Sequence, residues 1–239
     1  IKPFRPLISA RQPPQAERVL NRICRERSAR AYIEGKDFTT DVTSYPFFSY
    51  KGIRREIHRL RSGLIGRHQI ENASLSLAAI ELICEEGFKV SEDAIRDGLA
   101  EVRWPGRLEV VGTSPTILLD GAHNPGGALV LKRALLEDFS HQNLILIAGQ
   151  QVTKDYKSFL KILAPLAKSF IAVPLKGAKS RDPDLLLKAA SPHCSNTHKE
   201  TDLKNALERA KNTAKENDLI LITGSLYLVG EAKEIIGKK

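Results

Sequence analysis

Methionine is absent from this sequence of 239 residues, and Ile1 stands in what reads as mid-strand context. With no initiator present, the expectation is a piece of a longer chain. Cysteine is scarce. Cys24, Cys84 and Cys194 are odd in number and nowhere spaced as C-x-x-C, which argues against a disulfide or zinc framework and for a reducing, cytoplasmic compartment. No apolar run is long enough to cross a bilayer and no signal peptide is visible, so no membrane partner is expected. Two catalytic signatures are also missing. No G-x-x-x-x-G-K-S/T occurs, so these residues carry no phosphate-cradling loop of their own. No G-x-S-x-G elbow supports a Ser-His-Asp hydrolase, because Gly224-Ser225 lacks the flanks. Aromatics make up only 6% and none interleave with basic residues in a nucleic-acid motif, so the formal charge of +9 does not point to nucleic acid.

What is present suits a globular protein, since 42% hydrophobic content is ample for a core. The charge is unevenly placed. Residues 1–67 hold 15 Lys and Arg against 6 Asp and Glu, whereas residues 68–239 balance at 22 against 22. This basic surplus could attract an anionic substrate, although a solvated face is the commoner reason for one. Strands are expected at 6–9, 31–33 and 47–50, with a helix from about Gln15 to Arg27 after the break at Pro13-Pro14. A second helix follows Leu64–Ile70 with Leu75, Ala78, Ala79 and Leu82 at helical spacing. A third is capped by Ser91, with Ala94, Ile95 and Leu99 inward. Trp104-Pro-Gly106 is the best linker, which divides the chain into 1–104 and 105–239.

Beyond that linker the pattern becomes regular. Apolar strands at 116–119, 144–148, 169–173 and 219–222 alternate with helical stretches near 125–137, 154–164, 183–190, 202–216 and 226–236. A weaker edge strand lies within 193–200. Such alternation predicts a Rossmann-like, mostly parallel sheet with helices on both faces. Three strands end in small or glycine-containing turns, at Asp120-Gly121, Gly149-Gln150 and Thr223-Gly224-Ser225, which a parallel sheet gathers on one edge. The stretch from Thr116 to Gly127 is the centre of this pattern. It combines a buried strand, the carboxylate of Asp120 at its end, His123, and a helix start made by the Asn124 cap and Pro125. Open α/β folds bind ligands at that edge.

Four ordered segments, Gly66-Arg-His-Gln-Ile-Glu-Asn72, Pro105-Gly-Arg-Leu-Glu109, Leu119-Asp-Gly-Ala-His-Asn-Pro125 and Thr223-Gly-Ser-Leu-Tyr-Leu-Val-Gly-Glu231, resemble the folylpolyglutamate synthases and dihydrofolate synthases of the Mur ligase superfamily. The resemblance implies that residues 1–104 are the carboxyl-terminal part of a central ATPase domain and 105–239 the Rossmann-like ligase domain. It also implies an ATP-dependent amide ligase that activates a folate or dihydropteroate carboxylate as an acyl phosphate and joins it to L-glutamate. By motif, Asn72 resembles the residue that hydrogen-bonds adenine, Arg107 the one that reaches the phosphates, and Asp120 the one that holds the ribose. His123 and Ser225 resemble contacts to the incoming glutamate or the reacting phosphate, with His123 and Arg107 the catalytic pair. Magnesium is the expected companion of ATP, its ligands lying upstream with the phosphate loop, so these residues alone are expected to be inactive. A monomer is expected. The alternatives are another Mur-type ligase, or a module that only holds a nucleotide or acidic ligand.

Overall fold

The computed structural model describes residues 1–237. The chain separates into two units, Ile1–Arg103 and Trp104–Lys239. In the first, β1 (Leu7–Ser9), α1 (Pro14–Glu26) and β2 (Ala31–Ile33) form a small parallel pair with its crossover helix. An antiparallel meander follows, made of β3 (Thr39–Ser44), β4 (Phe47–Lys51) and β5 (Glu56–Arg61). Helices α2 (Arg67–Glu85) and α3 (Glu92–Glu101) complete the unit. Phe48, Tyr50, Ile57, Leu60, Ile70 and Leu77 make the core. Glu81 is buried in it because the turn after β4 donates the Ile53 N–H (2.7 Å) and the Arg55 N–H (3.1 Å) to its carboxylate. Burial, and then the Glu81 charge, push the Tyr50 phenol pKa up.

The second unit contains β6 (Glu109–Thr113), β7 (Thr116–Leu119), α4 (Pro125–Glu137), β8 (Leu144–Ala148), α5 (Tyr156–Leu163), β9 (Ser169–Ala172), α6 (Pro183–Ala190), β10 (Thr197–Lys199), α7 (Leu203–Thr213), β11 (Leu219–Thr223) and α8 (Leu226–Ile236). They form one six-stranded sheet of order β10-β9-β8-β11-β7-β6, parallel except for β6. Every residue of β8, β9 and β11 is buried, as continuous aliphatic strands covered on both sides should be. On one face Ile145, Ile147, Ile171, Ile220 and Ile222 pack against Leu203 and Leu207 of α7 and Leu228 of α8. Helices α4, α5 and α6, neighbours in chain order, cover the other. No helix among the described residues is long and apolar enough to cross a membrane.

The alternating second half follows the expected pattern closely, and the weak edge strand is β10. Departures from expectation fall mostly in the first half, and at β6 in the second. Strands β3 and β5 and the antiparallel β6 carry no clear apolar period, since their burial alternates irregularly and each pairing contains a register shift. Ala94, expected inward on α3, is exposed, and Ile95 alone of that helix is buried.

Candidate active site at the carboxyl edge of the sheet

The chain runs β8, β9, β10 toward one edge and then returns through α7 to place β11 between β8 and β7. This reversal brings the turns after β7, β8 and β11 side by side, the place where open α/β sheets bind ligands. The turns are stitched together by backbone groups. Ala122 O accepts from Gly224 N (2.9 Å) and from the Thr223 hydroxyl (3.3 Å). Gly224 sits at φ +100°, and a Cβ there would lie 2.5 Å from Gly149 O. At Gly121 a Cβ would meet only the end of the Leu226 side chain of α8, at 2.4 Å, which can move aside.

Asp120 is buried at the end of β7. Its two oxygens accept from Leu108 N (3.1 Å) and Ala122 N (2.8 Å), so the carboxylate ties the turn after β7 to the segment before β6. That segment needs support, since Leu108 holds φ +46°. Gly121 N donates to Gly106 O (2.8 Å) and Glu109 accepts from Gly106 N (2.7 Å). Arg107 stands half-buried in the middle of this fastened loop. Among the described residues its guanidinium has no hydrogen-bond or ion-pair partner.

His123 is half-buried, and its Nδ1 lies 2.9 Å from Gly121 O. A carbonyl only accepts, so Nδ1 carries the proton and Nε2 is left for a ligand. Ser225 is buried and caps α8, its Oγ accepting from Tyr227 N (3.2 Å). A cavity of about 190 Å³ opens here, lined by His123, Gln151, Lys154 and the segment 224–227. No carboxylate side chain is among the described residues that line it. The amino end of α8 adds its partial positive charge, so the electrostatics favour an anion. The size suits an amino acid, being below the range of about 300–1,000 Å³ usual for larger ligands.

The structure thus brings Asp120, His123 and Ser225 to one edge, with Arg107 in the loop that Asp120 fastens. Asn72 belongs to the first unit. It is exposed inside α2, donates from Nδ2 to Gln69 Oε1 (3.0 Å), and does not cap the helix, whose N-cap is Gly66. Sequence reasoning recognised the Gly149-Gln150 turn but not the side chains around it. Gln150 is buried with neither amide atom partnered among the described residues, and Gln151 and Lys154 line the cavity. Among the described residues, no three His, Cys, Asp or Glu side chains converge to hold a metal ion.

A parallel sheet covered on both faces, with a cavity suited to an anion at its switch point, defines an open α/β ligand-binding domain. The chain belongs to the Mur ligase family: residues 106–226 match the Mur ligase, glutamate ligase domain. It is 30% identical over 188 residues to the dihydrofolate synthase/folylpolyglutamate synthase of Bacillus subtilis, covering 78% of this chain and 43% of that protein. Among solved structures it is similar to the Mycobacterium tuberculosis folylpolyglutamate synthase complexed with ADP and AMPPCP. That match has a TM-score of 0.87 and 26% identity, over 98% of this chain and 55% of the other. The Escherichia coli FolC in complex with DHPP and ADP gives a TM-score of 0.86 and 25% identity, over 98% and 54%. The chain spans about half the length of these relatives.

Proposed function

We propose that this chain is the glutamate-accepting part of an ATP-dependent amide ligase that lengthens a folate, or converts a dihydropteroate, by one L-glutamate. The observation that carries the reading is the small cavity at the start of α8, lined by no carboxylate among the described residues, in a chain of this family. In the proposed reaction a carboxylate oxygen of the folate attacks the γ-phosphorus of ATP and ADP leaves. The amine of glutamate then attacks the acyl carbon, the bond to the phosphate oxygen breaks, and phosphate departs. Magnesium, supplied with the nucleotide, would neutralise phosphate charge.

The residues suit these tasks. Nε2 of His123 accepts from the glutamate amine and can take its proton as the C–N bond forms. The Ser225 hydroxyl, which accepts one bond as a cap, still has its proton to donate to a ligand carboxylate. Arg107, held on a fastened loop with its guanidinium free, faces the phosphate charge that grows in the transition state. Asp120 fixes that loop, and a carboxylate is the kind of acceptor that ribose hydroxyls need. Asn72, exposed in the first unit, offers an amide for adenine.

The test is glutamate saturation and thermal unfolding on single preparations of Ser225→Ala and His123→Ala in the natural full-length protein. Loss of a hydrogen bond to a charged ligand, about 1.5–3 kcal/mol, should lower kcat/KM for glutamate roughly 10- to 150-fold while leaving equilibrium ATP binding nearly unchanged. If Ser225 is only a cap, its variant loses about 1 kcal/mol of stability and glutamate kinetics stay as they were.

A further inference from the structure

Resting on the ligase reading, we infer that the groove between α5 and α6 is a second ligand site, which holds the elongated product by the carboxylates that added glutamates bring. The groove encloses about 490 Å³, within the range of about 300–1,000 Å³ that small-molecule sites occupy. Lys157 and Lys161, one turn apart on α5, line one bank, and Leu185, Lys188 and Ala189 of α6 line the other, with His193 beyond the helix end. No Asp or Glu is among its described lining residues. It shares no lining residue with the cavity at the start of α8, so the two are separate sites. The helices turn Phe159, Leu160 and Leu163, and Leu186 and Ala190, to the core. The three lysines are exposed, and Leu185 is left 42% exposed between them.

The carboxylates that stand nearest in the chain are engaged elsewhere. Asp155 caps α5 by accepting from Ser158 N (3.1 Å), Asp182 caps α6 by accepting from Asp184 N (2.9 Å), and Asp184 pairs with Lys199 (2.6 Å). Bonds with Ser158, and after them the Lys157 charge, hold the Asp155 carboxyl below the ordinary carboxylate range. Among the described residues Lys157, Lys161 and Lys188 nevertheless form no ion pair. Each round of the proposed reaction consumes one carboxylate of the acceptor and brings in two with glutamate, so the product gains one negative charge per round. A groove with three ammonium groups therefore holds the product more tightly as its tail lengthens. The ring system of a folate has the apolar surface of Leu185 and Ala189 to lie on. The groove thus responds to tail length apart from the cavity where the bond forms.

The test is calorimetric titration of the full-length protein with pteroylmonoglutamate and pteroyltriglutamate, counting bound molecules in wild type, the triple variant Lys157→Gln/Lys161→Gln/Lys188→Gln, and Leu185→Glu. Wild type should bind two molecules of the triglutamate. In the triple variant the second site should weaken roughly 3- to 150-fold, since each exposed ion pair is worth a factor of about 1.4–5. Leu185→Glu, which sets a carboxylate in the groove, should weaken it in the same direction. The monoglutamate should occupy the groove more weakly than the triglutamate. Equal groove affinity for the two ligands, a wild type that binds one molecule only, or a triple variant that keeps both sites unweakened overturns the inference and leaves the ligase reading intact. Initial rates of amide formation with the monoglutamate test that reading separately and should be alike in all three proteins. A triple variant that melts like wild type yet loses amide formation places its lysines in the reaction, and this too overturns the inference. If none of the proteins forms an amide, the ligase reading fails, while lysine-dependent binding at a second site still upholds the groove as an oligocarboxylate site.

Discussion

Asp120 and Arg107 stand close in the chain and should respond to mutation in opposite ways. Asp120→Ala removes the acceptor of two backbone N–H groups at buried Leu108 and Ala122, each worth about 1–3 kcal/mol when orphaned. The expected result is a melting temperature several degrees lower, together with a raised ATP KM on the proposal that Asp120 holds the ribose. Arg107→Ala removes a guanidinium with no partner in the unit, so the melting curve should stay close to wild type while kcat falls about 10²-fold. Melting curves and steady-state kinetics on both variants check this. A destabilised Arg107→Ala would make Arg107 a structural residue. Asp120 was legible as a carboxylate at a strand end, because strand and helix start are both written in Ile117–Leu119 and Asn124-Pro125. Its bond to Leu108 was not, since a leucine at φ +46° is imposed by tertiary contacts and leaves no mark in local sequence.

Among the elements, the central strands β8 and β11 are joined just before they begin. Asp218 accepts from Asn143 Nδ2 (2.7 Å) and from Lys215 N (2.9 Å). Burial, the largest influence on its carboxyl, raises the pKa, but the bonds from Lys215 and Asn143 and the Lys168 charge together outweigh it and hold the pKa below the ordinary value. The folded pKa is thus lower than the unfolded one near 4. The stabilisation is complete above that unfolded value and is lost as pH falls through the folded one. Urea midpoints measured from pH 6 down to pH 2 should show Asp218→Asn converging on wild type at the acid end. A gap that stayed constant would rule this contribution out. The sequence revealed β8 and β11 because continuous aliphatic runs bounded by Gly have no competing explanation. It hid β3, β5 and β6, where register shifts break the two-residue period that would have marked them.

At the scale of the whole molecule, each unit has its own buried cluster, Tyr32–Ile95 in the first and Ile117–Ala232 in the second. Residues 104–239, produced alone, should therefore fold cooperatively, seen as one sigmoidal melt with dispersed amide signals. A broad melt without dispersion would contradict this. The strand order has a further consequence for synthesis. Since β11 is the last strand among the described residues yet lies between β7 and β8, a ribosome that has not passed Thr223 leaves both partners with bare edges and oily faces. The sheet cannot close, and the three turns that form the cavity cannot meet, until almost all of this stretch has emerged. Chains cut short before Leu219 should therefore aggregate more readily than the whole chain.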